Sequence, residues 1–244
     1  MPGKKRDNSI LISLIGNVLL VIGKGVTGLL ANSNALVADA IHSMTDVYAF
    51  FISYRACRDC ELCGRIDNKK TSETITQRIV EIETQTTYYA GIVFLTVGIA
   101  ICFHNLMILV LDKFEKPDSI TVPVAFVVLA VYAGLYKYAG KTDDTQTVED
   151  CIFTTRNANW QNKMNLVSGI VVAIGLTASM FGFVFMDELA AAVVGAILLA
   201  MGVKLIMETK VNLSEPIKRY VTPVIISSIL VSAVLATISL SVQL

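Results

Sequence analysis

From Tyr88 to Leu111 the chain runs without one aspartate, glutamate, lysine or arginine. A bilayer core is crossed by a helix of about 20 mostly apolar residues, and comparable stretches recur at Ile10–Leu30, Ala35–Tyr54, Ile120–Tyr136, about Asn157–Phe183, Leu189–Met207 and Val221–Leu244. Apolar residues make up 54% of the chain and charged residues only 16%, which sets it apart from ordinary water-exposed domains. The expected fold is all-α, a polytopic membrane helix bundle of seven helices.

Short turns organise the bundle. The first two helices are joined by Ala31–Asn34 and the fifth and sixth by Gly182–Asp187, connections that force tight hairpins. Arg55–Thr86 and Lys137–Arg156 are longer polar stretches, each too short for a core of its own. If Lys4, Lys5 and Arg6 are cytoplasmic, the same side receives both longer stretches with their lysines and arginines, together with Lys204, Lys210, Lys218 and Arg219. The opposite side receives Lys113 and Lys116. Positive charge stays in the cytoplasm, so the N-terminus is expected inside and, after seven crossings, the C-terminus outside. The basic start and apolar run resemble a signal peptide, but the run is long and lacks a small-residue cleavage site.

Within the second apolar stretch, "LVADAIHSMTDV" (Leu36–Val47) buries charge. Residues three, four and seven apart share a helix face, so Asp39, His42 and Asp46 form one polar stripe. Ionisable groups inside a membrane are costly and mark functional sites by default. Two readings stand: His42 and Asp46 bond each other and hold helices together, or the stripe binds a cation, an imidazole nitrogen and a carboxylate oxygen four residues apart suiting a divalent first-row metal. An aligned trio favours the cation. Helix five opens with a second stripe, Asn157, Gln161, Asn165 and Ser168. Its amides either help to ligate a hard cation or form an interhelical hydrogen-bond patch.

These residues carry a resemblance. The segment "SLIGNVLLVIGKGVTGLLANSNALVADAIHSMTDV" resembles the first two helices of the cation diffusion facilitator family, whose members exchange cytoplasmic divalent metal for protons. The family's helix-two pair, His or Asp followed four residues later by Asp, is matched by His42 and Asp46. In helix five "WQNKMN" (Trp160–Asn165) resembles the family's second half-site in frame, with Gln161 where a histidine and Asn165 where an aspartate would stand. "MDELAAAVVGAILLAMGVKLIMET" resembles its sixth helix. The resemblance implies six such helices within residues 1–210, and residues 211–244 then hold a linker and an additional seventh helix. The family's His-rich loop after helix two is replaced by Arg65–Arg78 without histidine, and after Asn212–Pro216 an apolar stretch stands where its metal-binding C-terminal domain would follow.

Cys57, Cys60 and Cys63 recur every third residue near the cytoplasmic end of helix two. They read either as free surface thiols or as a capture site for a soft or borderline metal, without the second ligand pair of a closed zinc finger. Cys102, Cys151 and His104 read as packing or interfacial residues. Lys24 lies where family members often carry a lysine. Lys163 either snorkels to the interface or pairs with Asp39 or Asp46. No nucleotide cradle or nucleophile–base pair is present, and no enzyme is expected.

The resemblance implies efflux of a divalent cation by proton exchange, with no permanently bound cofactor. His42 and Asp46 would hold the ion, Gln161 and Asn165 complete its shell, and Asp39 stand by as a further ligand. Zinc, iron and manganese all accept such ligands; affinity order favours zinc, and the amides favour the harder manganese or ferrous iron. The partners implied are the metal, protons, membrane lipid and a second subunit, as homodimer or heterodimer, with no nucleic acid. The alternative is a non-transporting partner that stabilises or regulates a complete relative through a heterodimer. The expected location is a bacterial inner membrane, or the magnetosome membrane, where some members of this family concern iron.

Overall fold

The computed structural model describes residues 3–47, 72–142 and 152–209, and the regular structure there is entirely helical. The helices are α1 (Gly3–Leu30), α2 (residues 34–47), α3 (Ser72–Val110), α4 (Thr121–Thr142), α5 (Ile152–Met180) and α6 (Met186–Glu208). Among the described residues, Thr87–Val110, Lys163–Met180 and Met186–Glu208 are long and apolar enough to cross a membrane, and Asn17–Leu30 and Thr121–Gly134 are shorter apolar helices. Leu19, Phe103, Val127 and Ile174 all lie more than 60% exposed on the outside of this bundle. So much exposed hydrocarbon suits lipid and not water. The chain is an integral membrane protein.

Helices run further than the apolar stretches. α3 begins at Ser72, and α4 continues to Thr142, so much of what reads in sequence as connecting loop is helix. Hydropathy marks where the hydrocarbon starts, not where the backbone stops coiling. Ser72–Thr86 contains neither glycine nor proline, and nothing interrupts the hydrogen-bond ladder there. The expected seventh helix (Val221–Leu244), the segment 211–244 and the Cys57, Cys60, Cys63 cluster lie outside the described residues.

Three helices end alike. Ser33 N–H donates back to Gly28 O (2.9 Å) after Asn32 at φ 51°, Lys113 N–H to Ile108 O (3.2 Å) after Asp112 at φ 52°, and Phe183 N–H to Ala178 O (3.2 Å) after Gly182 at φ 102°. A left-handed residue followed by this six-to-one bond stops a helix and satisfies its last carbonyls. α1, α3 and α5 are thereby turned back at one end of the bundle, and the two short turns form the hairpins their length requires.

Small residues let the helices close up. A Cβ on Gly98 of α3 would sit 2.9 Å from Gly195 O of α6, and one on Gly195 would sit 2.8 Å from Cys102 Sγ. Gly91 and Gly202 repeat this contact one heptad away, so α3 and α6 pack antiparallel, backbone against backbone. In lipid such close packing replaces the hydrophobic drive available in water. Cys102 Sγ donates to Ala192 O at 3.3 Å, which fits its expected packing role. Leu36 and Ala38 of α2, Phe94 and Val97 of α3, Val172 and Leu176 of α5, and Val194 and Leu198 of α6 share one buried core.

A carboxylate from α6 pins the start of α2. Asp187 accepts from Ser33 Oγ (2.9 Å), Asn34 N–H (2.6 Å) and Ala35 N–H (3.3 Å). The first N–H groups of a helix have no partner within it, and its N-terminus favours negative charge. Asp118 N–H also donates to Ala31 O at 3.0 Å. The depth and rotation of α2 are set from this end, and with them the direction in which its polar stripe faces.

Candidate metal site

Two aspartates on one face of α2 have opposite fates. Asp39 is fully engaged: Lys24 of α1 donates from Nζ to its Oδ2 at 2.8 Å and its carbonyl lies 3.0 Å away, while Ser168 Oγ of α5 donates to Oδ1 at 2.7 Å. The Lys24 ammonium also lies 2.6 Å from Ser43 Oγ of α2 and 2.5 Å from Tyr132 OH of α4, and these two hydroxyls are 2.7 Å apart. Lys24 and Tyr132 are almost completely buried. One cation thus joins α1, α2 and α4, and Ser168 brings in α5.

One to two turns further along α2, the side chains of His42 and Asp46 are not satisfied. His42 is 0% and Asp46 6% exposed, yet neither ring nitrogen of His42 and neither carboxylate oxygen of Asp46 makes a well-formed hydrogen bond. Asn165 of α5, 2% exposed, leaves its Oδ1 equally unpartnered and stands close enough to act on Asp46. Buried polar atoms are nearly always paired, and each exception needs a reason. His42 Nε2 and Asp46 Oδ2 are 3.7 Å apart, too far to bond each other. Two donors each about 2.1 Å from one ion at an open angle would be separated by such a distance. The donor set fits a divalent cation, which would meet one imidazole, one carboxylate and amide oxygen.

Asp39, expected as a possible further ligand, has both carboxylate oxygens engaged, one by Lys24 and one by Ser168. Lys163 is exposed and does not take the Asp39 partnership that Lys24 holds. Gln161 lies on α5 one turn before Asn165, with its side chain outside the described residues, as is that of Asn157. Among the described residues no three His, Cys, Asp or Glu side chains converge as a metal cluster, so amides are needed to complete any shell. Spacing along one helix could not reveal Tyr132, the partner from α4, or Asp187, the cap from α6. Tyr132 is one of three tyrosines on α4, with Tyr136 and Tyr138, and nothing in the sequence singles it out as the one that meets Lys24.

Comparison with known proteins agrees with this architecture. The chain is 26% identical over 83% of its length to the magnetosome protein MamB of a Magnetospira species, covering 65% of that protein. It is 25% identical to metal tolerance protein C1 of Arabidopsis thaliana (83% of this chain, 44% of that one) and 24% identical to the manganese efflux system protein MneS of Bacillus subtilis (87% and 69%). The chain therefore spans less than two thirds of the length of the MamB relatives it matches. Residues 10–214 match the family model for the cation efflux transmembrane domain, most of the chain, and the protein belongs to the cation efflux family, the cation diffusion facilitators.

Proposed function

We propose that this chain moves a divalent metal cation out of the cytoplasm in exchange for protons, and that His42, Asp46 and Asn165, with Gln161, hold the ion in transit. The observation that carries this reading is the set of buried, unpartnered atoms on His42, Asp46 and Asn165. A hydrogen-bonded structural tie would have satisfied them. Oxygen-rich ligation with one imidazole favours manganese or ferrous iron over zinc, and a relative named for manganese efflux supports the choice of Mn2+ as first substrate. Imidazole and carboxylate bind metal only when deprotonated, so metal entering from the cytoplasm displaces protons and protons arriving from the far side displace metal. The basic N-terminal residues and the two longer polar stretches face the cytoplasm in this scheme.

Uptake of Mn2+ into proteoliposomes under an imposed pH gradient tests the proposal. Flux is expected to follow the gradient and to fall when an ionophore dissipates it. The amide at Asn165 favours one second reading, a partner that has lost transport and supports a complete relative. Absent flux from the chain alone, with stimulated flux when it is reconstituted with such a relative, would establish that reading instead.

A further inference from the structure

The first carboxylate of the α2 stripe is silenced by a residue from another helix. Asp39, His42 and Asp46 occupy one helix face at spacings of three and four, so Asp39 stands next in line to coordinate whatever His42 and Asp46 hold. Its two oxygens are taken instead, one by Lys24 and one by Ser168. Lys24 is 0% exposed and does not reach water. Its three N–H groups face four acceptors within 3.0 Å, a socket that holds the ammonium in one place.

We propose that Lys24 is a tethered internal cation that takes Asp39 out of the metal's ligand set, so that the transported ion meets one carboxylate instead of two. The proposal rests on the metal-site reading of His42 and Asp46 and specifies what sets its strength. With Lys24 in place, the charges of Lys24, Asp39, Asp46 and a bound divalent ion sum to +1; without the Lys24 charge they sum to zero. A site left positive when loaded releases its ion readily, which suits a carrier more than a store. Lys24 is a positioning residue that acts through Asp39.

Mn2+ titration calorimetry on the full chain in detergent separates this role from a purely structural one. Lys24→Met frees the Asp39 carboxylate and removes a positive charge beside the ion, and Mn2+ affinity is expected to rise roughly tenfold or more. Asp39→Asn leaves the ammonium uncompensated and is expected to weaken Mn2+ binding roughly tenfold. Lys24→Met with Asp39→Asn removes both charges and should return affinity to within about threefold of the parent. Lys24→Arg, which keeps the charge, should leave affinity near the parent's. A structural tie predicts instead that Lys24→Met and Asp39→Asn damage binding together, and shifts of the same sign overturn the proposal. If Lys24→Met unfolds without metal, recovery of the folded fraction on adding Mn2+ supports the proposal, and indifference to Mn2+ contradicts it. A parent that binds Mn2+ while Lys24→Met binds it no tighter removes the Lys24 role alone. Silence from both removes the metal site as well.

Discussion

Replacing His42 by alanine is expected to weaken Mn2+ binding by about a hundredfold or more, since changes to groups that merely orient a ligand already cost roughly 10- to 100-fold. Asp46→Asn, which keeps the shape and removes the charge, should cost at least as much. The informative part is what happens without metal. Neither side chain has a well-formed hydrogen bond to lose, the Asn165 amide being only within loose donor reach of Asp46, and a buried carboxylate so poorly satisfied is itself costly. Metal-free Asp46→Asn protein should therefore melt no lower than the parent, and His42→Ala should lose only the packing of the ring. Residues that hold helices together would behave in the opposite way, with melting lowered and Mn2+ affinity preserved. The same ligand chemistry gives the sign of the pH effect: protons compete for His42 and Asp46, so parental Mn2+ affinity falls as pH falls, and the slope should flatten in either variant.

The second large effect is a gain. Gln161→His combined with Asn165→Asp would add an imidazole and a carboxylate to the α5 side, where Asn165 already faces Asp46 across the contact with α2. Two imidazoles and two carboxylates make a shell suited to zinc, so Zn2+ affinity is expected to rise by about a hundredfold or more, with more protons released per ion bound. Without metal the added carboxylate lies buried beside Asp46 and destabilises the fold. Binding to the folded state alone stabilises by mass action, about 2.7 kcal/mol at a hundredfold excess over Kd. Added Zn2+ should consequently raise the melting temperature of the double variant more than that of the parent. No gain in either measurement would mean that Gln161 does not stand beside Asn165 at the ion.

How far these features could be read from sequence depends on whether one helix or two were needed. The "ANSN" turn and the Asp39–His42–Asp46 stripe are properties of local spacing, and the structure has both. The contrast between Asp39 and Asp46 is not local. It depends on Lys24 from α1, Tyr132 from α4 and Ser168 from α5 arriving at one aspartate and not at the other. A 3.6-residue period says which side chains share a face and nothing about what meets them. The cap that Asp187 places on α2 crosses 152 to 154 residues of sequence and has the same character. The polar reach of α3 from Ser72 escaped for a different reason: apolarity signals lipid, and a helix that leaves the bilayer keeps its hydrogen bonds while losing that signal.

The chain contains two histidines, His42 and His104, which makes the central assignment directly observable. X-ray absorption at the manganese edge, on tag-free protein loaded with one equivalent of Mn2+, is expected to show an oxygen-dominated shell with the multiple-scattering signature of one imidazole. That signature should persist in His104→Ala and vanish in His42→Ala. Its loss in His104→Ala, or a shell built from sulfur at about 2.3 Å or beyond, the mark of Cys57, Cys60 and Cys63, would contradict a site on α2.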